Sequence, residues 1–413
     1  MSVGGEAMTP PRMRFSASVL LGVTQILIWG GSFFLLAVLA NPIHQDTGWS
    51  LAWIYGALTA GALVSAVLSP RASVYIARQQ GRQVLVASGW IVAVGLCLVG
   101  LAPNLAVFVL GWCVIGVGMA GGLYDPLFAT LGMRYGQAAR PAINAVTLIG
   151  GFCTTLVWPI QAWMVDAMGW RTTCWIYAIV LAAAVGPLYW KALPKQAGST
   201  ANTLLAPGGA QAQSAHATSP FDPGLYRLLS LVFSIAAILM SAVSVQIIVL
   251  LQRTGHSMTS AIALSALIGP AMVGVRIINV TLKTMTPIWE GLISAGFVAL
   301  GLLLISVSPA AAALGIVCYG IGNGLRALVR GSLPLMLVPS ASLASVMGRL
   351  ARSTLFCQAL TPMACGFLIT HAGAEATLWT LTVLALINMG LTVRLRQRVM
   401  RHQQRHAMAV GHD

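Results

Sequence analysis

Charge is what this sequence has least of. Only 8% of its 413 residues are Asp, Glu, Lys or Arg, and just eight are acidic, whereas a soluble domain carries about 25% charged residues. A water-facing globular protein is therefore excluded for most of the chain. Histidine is absent from the apolar runs: residues 44, 216, 256, 371, 402, 406 and 412 all fall in predicted loops, a linker or the tail. That leaves no histidine relay or histidine metal site inside a membrane. The seven cysteines, at 97, 113, 153, 174, 318, 357 and 365, form no CxxC pair, so neither a disulfide framework nor a zinc site is indicated. Walker A, GxSxG and HExxH sequences are missing as well. ATP hydrolysis and the common hydrolytic chemistries thus have no support, and no cofactor is expected.

What is present is apolar length. Hydrophobic residues make up 58% of the chain, in runs of about 20 residues, each long enough to cross a hydrocarbon core of about 30 Å. Twelve such runs lie near 15–40, 50–70, 83–102, 105–132, 141–166, 172–190, 227–251, 259–282, 288–307, 310–332, 345–370 and 376–393. The first is too long for the core of a cleaved signal peptide and is expected to be retained. With the N-terminus inside, cytoplasmic stretches collect Arg12, Arg14, Arg71, Arg78, Arg82, Arg134, Arg140, Lys191, Lys195, Arg227, Lys283, Arg330, Arg349, Arg352 and the tail from Arg394 to Arg405, while the other side receives Arg171 and Arg253. The positive-inside rule then predicts an inner-membrane protein with both termini cytoplasmic. The net charge of +15 is scattered between spans, not gathered into the contiguous stripe that nucleic acid requires. The basic tail reads as a topology signal, or as a contact for anionic lipid headgroups.

Between Leu193 and Phe221 the composition turns to Ala, Gly, Ser, Thr and Gln, with Pro207 and Pro220, which reads as a linker. It divides the chain into 1–195, 196–222 and 223–413, six spans on either side. Thr47-Gly48-Trp49-Ser50 returns as Thr254-Gly255-His256-Ser257, an offset of 207; Gly122-Leu123 matches Gly324-Leu325, and Pro159 matches Pro362, at 202 and 203. A shared order at nearly one offset points to a duplicated half.

With these features the chain resembles the major facilitator superfamily over all twelve spans. Ala77-Arg78-Gln79-Gln80-Gly81-Arg82 is similar to that family's basic connection between spans 2 and 3, with Ala77 where the family has Asp. Gly116, Gly118, Gly121, Gly122 and Pro126 resemble its glycine-rich fourth span. Trp29-Gly30, Thr47-Gly48-Trp49-Ser50, Trp158-Pro159 and Gly169-Trp170-Arg171 resemble bacterial relatives of the monocarboxylate porters. The resemblance implies an all-α membrane protein, twelve transmembrane helices in two pseudo-symmetric six-helix bundles, whose spans 1, 4, 7 and 10 line a central cavity.

Asp125 is the acid read as lying within a span; the others are placed in tails, loops or span ends. A carboxylate at depth costs about 2.5–3.5 kcal/mol on the insertion scale, so it needs a partner, a proton or water. Two roles follow: a protonation site coupled to cargo movement, with Tyr124 beside it, or a bridge to an arginine that holds the cytoplasmic side closed. Arg276 and Arg326 also stand within apolar runs. A guanidinium fork suits a carboxylate or phosphate, though Arg276 is close enough to the cytoplasmic end to snorkel. Arg326 and Asp125 fall at nearly matching depths and are expected to meet. Gln25, Trp29, Gln246 and Asn323 are candidate cargo contacts by the resemblance, or ordinary interhelical hydrogen bonds. One acid against two arginines favours a small organic anion, such as a monocarboxylate, moved by alternating access, with protons as coupling ion. Efflux of drugs or amphipathic metabolites by proton antiport and a non-transporting receptor or scaffold are the competing expectations. A monomer is expected.

Overall fold

The computed structural model describes residues 13–194, 222–282 and 285–410. The linker read at 196–222 lies outside them except for Asp222, as do Arg12, Lys195 and Lys283. Among the described residues the chain is helical and contains no strand. The helices are α1 (Phe15–Gly30), α2 (Leu36–Thr47), α3 (Leu51–Tyr75), α4 (Gly81–Leu101), α5 (Leu105–Gly122), α6 (Tyr124–Tyr135), α7 (Arg140–Gly150), α8 (Cys153–Ala192), α9 (Pro223–Arg253), α10 (Met258–Ala266), α11 (Ile268–Leu282), α12 (Pro287–Val307), α13 (Ala312–Leu337) and α14 (Ser340–Val410). Four spans are interrupted helix pairs: α1–α2, α5–α6, α7 with the first part of α8, and α10–α11. Conversely, α8 and α14 each hold two passes, reversing at Gly169 (φ 78°) and Gly373 (φ 87°). The twelve predicted spans are accounted for in this way, as two bundles of six.

The repeated Thr-Gly-x-Ser segments do the same local work in both halves. Each threonine bonds back to its helix, Thr47 to Ile43 O at 2.7 Å and Thr254 to Leu250 O at 3.1 Å. Each glycine takes a positive φ, 71° at Gly48 and 102° at Gly255, to end the helix. Each serine then caps the next one, Ser50 accepting from Trp53 N and Ser257 from Ser260 N. The sequence repeat is a helix stop followed by a helix start.

Packing shows the duplication more sharply. A Cβ on Gly95 would lie 2.9 Å from Gly111 O, and one on Gly301 2.6 Å from Gly315 O. A Cβ on Gly118 would press on Val92 and Ser88 O, one on Gly322 on Val298 and Ser294 O. Likewise Gly116 sits on the Gly61 backbone and Gly320 on that of Ile268. Spans 2 and 4, and 3 and 4, of each half approach through glycine because lipid offers no hydrophobic drive and close backbone contact must supply the attraction. Gly111, Gly116 and Gly118 each stand 204 residues before their counterparts Gly315, Gly320 and Gly322. The 202 offset from Gly122-Leu123 is thus two residues out of register in the fourth span.

One end of the molecule is closed by contacts between the bundles. Gly348 of α14 lies against Ser73 of α3, Gly132 of α6 against Leu335 and Leu343, and Gly331 of α13 against Phe128 and Ile143. A single buried cluster runs from Leu21 and Leu85 through Phe128 to Leu229, Leu333, Leu343 and Leu395, uniting the N-terminal bundle with one half of the C-terminal bundle. The other half of the C-terminal bundle, around Leu239, Leu302, Tyr319 and Leu381, has its own cluster. The closed end is the one bearing the turn at Ile76–Gln80, where Arg82 and Arg134 donate to Leu193 O and Pro194 O and so fasten the end of the sixth span. At the opposite end Trp170 and Arg171 both donate to Asp46. They hold its carboxyl below the usual carboxylate range, the Trp170 and Arg171 hydrogen bonds contributing most.

Gly116→Ala is expected to lower the thermal unfolding midpoint of the detergent-purified protein, an overpacking cost of about 1–3 kcal/mol. Gly56→Ala, where an added Cβ meets nothing within 4 Å, is expected to leave it unchanged or slightly raised.

Candidate functional site

Span 4 stops at Gly122, takes one extended residue at Leu123 (φ −73°, ψ −172°) and restarts at Tyr124. Asp125 therefore sits in the first turn of α6, where unpaired N–H groups and the helix dipole favour a negative charge. Its side chain is 10% exposed, and Arg330 of α13 grips it with both arms of the fork, Nε to Oδ1 at 2.7 Å and Nη2 to Oδ2 at 2.5 Å. The arginine at this position belongs to the other bundle. Arg326 was expected as the partner; the structure gives that place to Arg330, four residues further along α13. With the true offset of 204 from the glycine packing, Asp125 maps to Val329, beside Arg330, and not to the neighbourhood of Arg326 one turn earlier.

Arg276 does not snorkel. Its residue is 3% exposed, with Nε donating to Gly324 O at 3.1 Å and Nη1 to Thr147 O at 2.9 Å. The second bond crosses between the bundles, since Thr147 lies on α7. Gly151 ends that helix directly against the Arg276 guanidinium, leaving no room for a side chain there. Next to it, Gly150 faces the Tyr124 hydroxyl. Tyr124 in turn packs on Trp29 (ring centroids 5.3 Å apart) and stacks on Phe128 at 5.2 Å, and Phe33, Phe34 and Trp158 extend this aromatic group. Trp29, Tyr124, Asp125 and Arg276 are thus brought into one neighbourhood.

Gln25 is fully buried, donating to Gly122 O at 2.8 Å and to the Tyr189 hydroxyl at 3.2 Å while accepting from Trp29 Nε1. It is an interhelical hydrogen bond that fixes Trp29. Arg326 and Asn323 face the interior of the C-terminal bundle, with Arg326 Nε bonded to Asn323 Oδ1 at 2.8 Å and Nη2 to Met240 Sδ at 2.7 Å. Gln246 points to the eleventh span, Nε2 to Pro362 O at 3.4 Å, and the structure does not bring it to the others.

Glu290 was missed. It was read as a span end, yet it is 1% exposed and receives Arg140 Nη2 at 2.7 Å across the bundle seam, with Asn279 at 3.4 Å on the same oxygen. Its place inside the apolar run 288–307 was the available signal. Asp125–Arg330, Arg140–Glu290, Arg276–Thr147 O and Gln137 Nε2–Leu335 O (2.6 Å) are polar links between the bundles, all buried or partly buried.

Two six-helix bundles that meet at one end over buried, breakable polar links define a membrane carrier. A comparison with family models matches residues 21–330 to the Major Facilitator Superfamily, and the chain belongs to that superfamily, whose members are non-enzymatic transporters. Among solved structures it is similar to the human organic anion transporter TETRAN (16% identity, TM-score 0.69, covering 92% of this chain and 98% of that one). It is also similar to the proton:xylose symporter XylE bound to 6-bromo-6-deoxy-D-glucose (11%, 0.69, 92% and 95%) and to FucP in the outward conformation (11%, 0.68, 92% and 98%). At these identities the likeness is one of fold. Comparison with curated protein sequences gives no match.

Removing one partner of a buried pair strands the other charge, at about 3–5 kcal/mol. Asp125→Asn and Arg330→Gln are each expected to lower the thermal midpoint, and the double variant to recover part of the loss. Additive losses in this double-mutant cycle would show that the two side chains do not interact in the membrane-extracted protein.

Proposed function

We propose that this transporter moves a small organic anion, such as a monocarboxylate, across the cell inner membrane by alternating access, working as a monomer with the proton as coupling ion. The observation that carries the reading is a surplus of guanidinium groups: among the described residues Arg276 and Arg326 bond only neutral acceptors, while Arg330 alone holds the carboxylate of Asp125. Desolvated guanidinium groups in excess attract an anion, and their planar forks suit a carboxylate. Arg276 is the favoured cargo contact because its partners are two backbone carbonyls, which a carboxylate would outcompete as acceptor. Trp29 and Tyr124 supply an apolar wall for the body of the cargo.

The closed end is assigned to the cytoplasmic side, from the distribution of Lys and Arg. Opening it by rocking residues 1–195 against 223–413 requires these inter-bundle links to part. A proton on Asp125 removes its charge and with it the charge-assisted bonds to Arg330, so proton binding favours opening. A carboxylate cargo that takes over Arg276 Nη1 releases the link to Thr147 O. Cargo and proton thus each loosen a different link of the same seam. The organic anion named for TETRAN is in keeping with this cargo class. The aromatic group from Trp29 to Trp158 also favours a second reading, efflux of amphipathic metabolites.

In proteoliposomes, Arg276→Lys is expected to reduce uptake of radiolabelled monocarboxylates by about tenfold, equivalent to about 1.4 kcal/mol, with Arg253→Lys unaffected. Asp125→Asn is expected to abolish accumulation driven by a pH gradient while leaving exchange of cargo for cargo. Undiminished pH-driven accumulation by Asp125→Asn would remove the coupling role, and transport of amphipathic cations but no carboxylate would replace the anion by the efflux reading.

A further inference from the structure

Arg326 has a setting of its own. A cavity of about 40 Å³ lies inside the C-terminal bundle, enclosed by residues of α9, α12, α13 and the second pass of α14, and Arg326, Asn323, Tyr319, Ser294 and Asn388 line it. That volume exceeds what one water needs, about 10–15 Å³. Arg326 bonds only neutral acceptors, the Asn323 amide oxygen and the Met240 sulfur, and among the described residues none of the salt bridges includes it. The one acid of the central region, Asp125, already has both oxygens occupied by Arg330. Two lining groups complete the picture: the Tyr319 hydroxyl and the Asn388 amide oxygen are buried without a hydrogen-bond partner, on residues 2% and 5% exposed.

Arg326 is half-buried, a guanidinium without a counter-charge in such a place is costly, and charges taken out of water are paired as a rule. A tyrosine hydroxyl is a donor as well as an acceptor, and the amide of Asn388 also carries two N–H donors. Arg326, Tyr319 and Asn388 together form a set able to hold something small and negative.

We propose that this cavity binds one small inorganic anion of the size of chloride, as the counter-ion of Arg326. The site is separate from the cargo contact at Arg276, and the proposal stands whether or not the cargo is an anion. It gives Arg326 the task of tying α13 to the second pass of α14 through the ion, which stiffens the C-terminal bundle as a rocking unit.

The test uses the full-length protein purified in chloride-free detergent buffer and titrated with sodium chloride, sodium bromide or sodium gluconate at constant ionic strength, reading the thermal unfolding midpoint. Chloride and bromide are expected to raise it in proportion to the logarithm of concentration above their dissociation constants and gluconate not at all, because a ligand of the native state at free concentration c stabilises by RT ln(1 + c/Kd). Arg326→Gln is expected to abolish the response. Should Arg326→Gln fail to fold, Tyr319→Phe serves, with the chloride dissociation constant fitted from the midpoints expected to rise at least fivefold. Equal midpoints in chloride and gluconate would overturn the proposal and leave the cavity to water alone. A chloride response unchanged in the foldable variant would overturn it too, by placing the ion elsewhere.

Discussion

A charge carried into a membrane protein must be answered by another group, and in this chain the answer comes from the opposite bundle. Asp125 is held by Arg330 through a bidentate pair, and everything around it serves that placement. The break at Leu123 starts a new helix so that the carboxylate sits at a helix N-terminus. Gly331, next to Arg330, lets α13 come against Phe128 and Ile143 closely enough for the fork to reach. A buried ion pair of this kind is a poor source of net stability, because desolvation offsets most of the attraction. It is suited to be a latch, since it is specific in geometry, and on the proposed coupling a proton on Asp125 would release it.

The latch has company of graded strength. Arg140–Glu290 lies nearer the closed end and is partly open to water on the arginine side, 31% exposed against 1% for the glutamate. Arg276 reaches across to a neutral carbonyl. On the proposed mechanism the links answer to different agents: protonation would act on the two arginine–carboxylate pairs, while an anionic cargo would compete with the carbonyl of Thr147. A transporter needs this separation if proton and cargo are to be counted independently at one seam.

Much of the fold could be read from the sequence, because lipid imposes a length on each span and the charges flank them. The Thr-Gly-x-Ser repeat was visible as letters and proved to be a helix stop and start in both halves. The glycine register was not legible, since 43 glycines offer many accidental matches and only the contacts of Gly111, Gly116 and Gly118 with their neighbours single out the offset of 204. That two-residue error displaced the predicted partner of Asp125 from Arg330 to Arg326. Glu290 escaped because its burial comes from a neighbouring bundle, which hydropathy along one span does not report. Gln25 looked the same in sequence as a cargo contact and as an interhelical bond; only the positions of Gly122 O and Tyr189 decided for the second.

The central claim is that Asp125 and Arg330 hold the two bundles together at the end bearing the Ile76–Gln80 turn. Spin labels at Tyr75, exposed at the end of α3, and Ala341, exposed at the start of α14, report the gap directly by pulsed electron paramagnetic resonance in lipid nanodiscs. The account predicts a short, narrow distance distribution for the parent protein at neutral pH and a longer, broader one for Asp125→Asn at the same pH. Identical distributions for the two would contradict it.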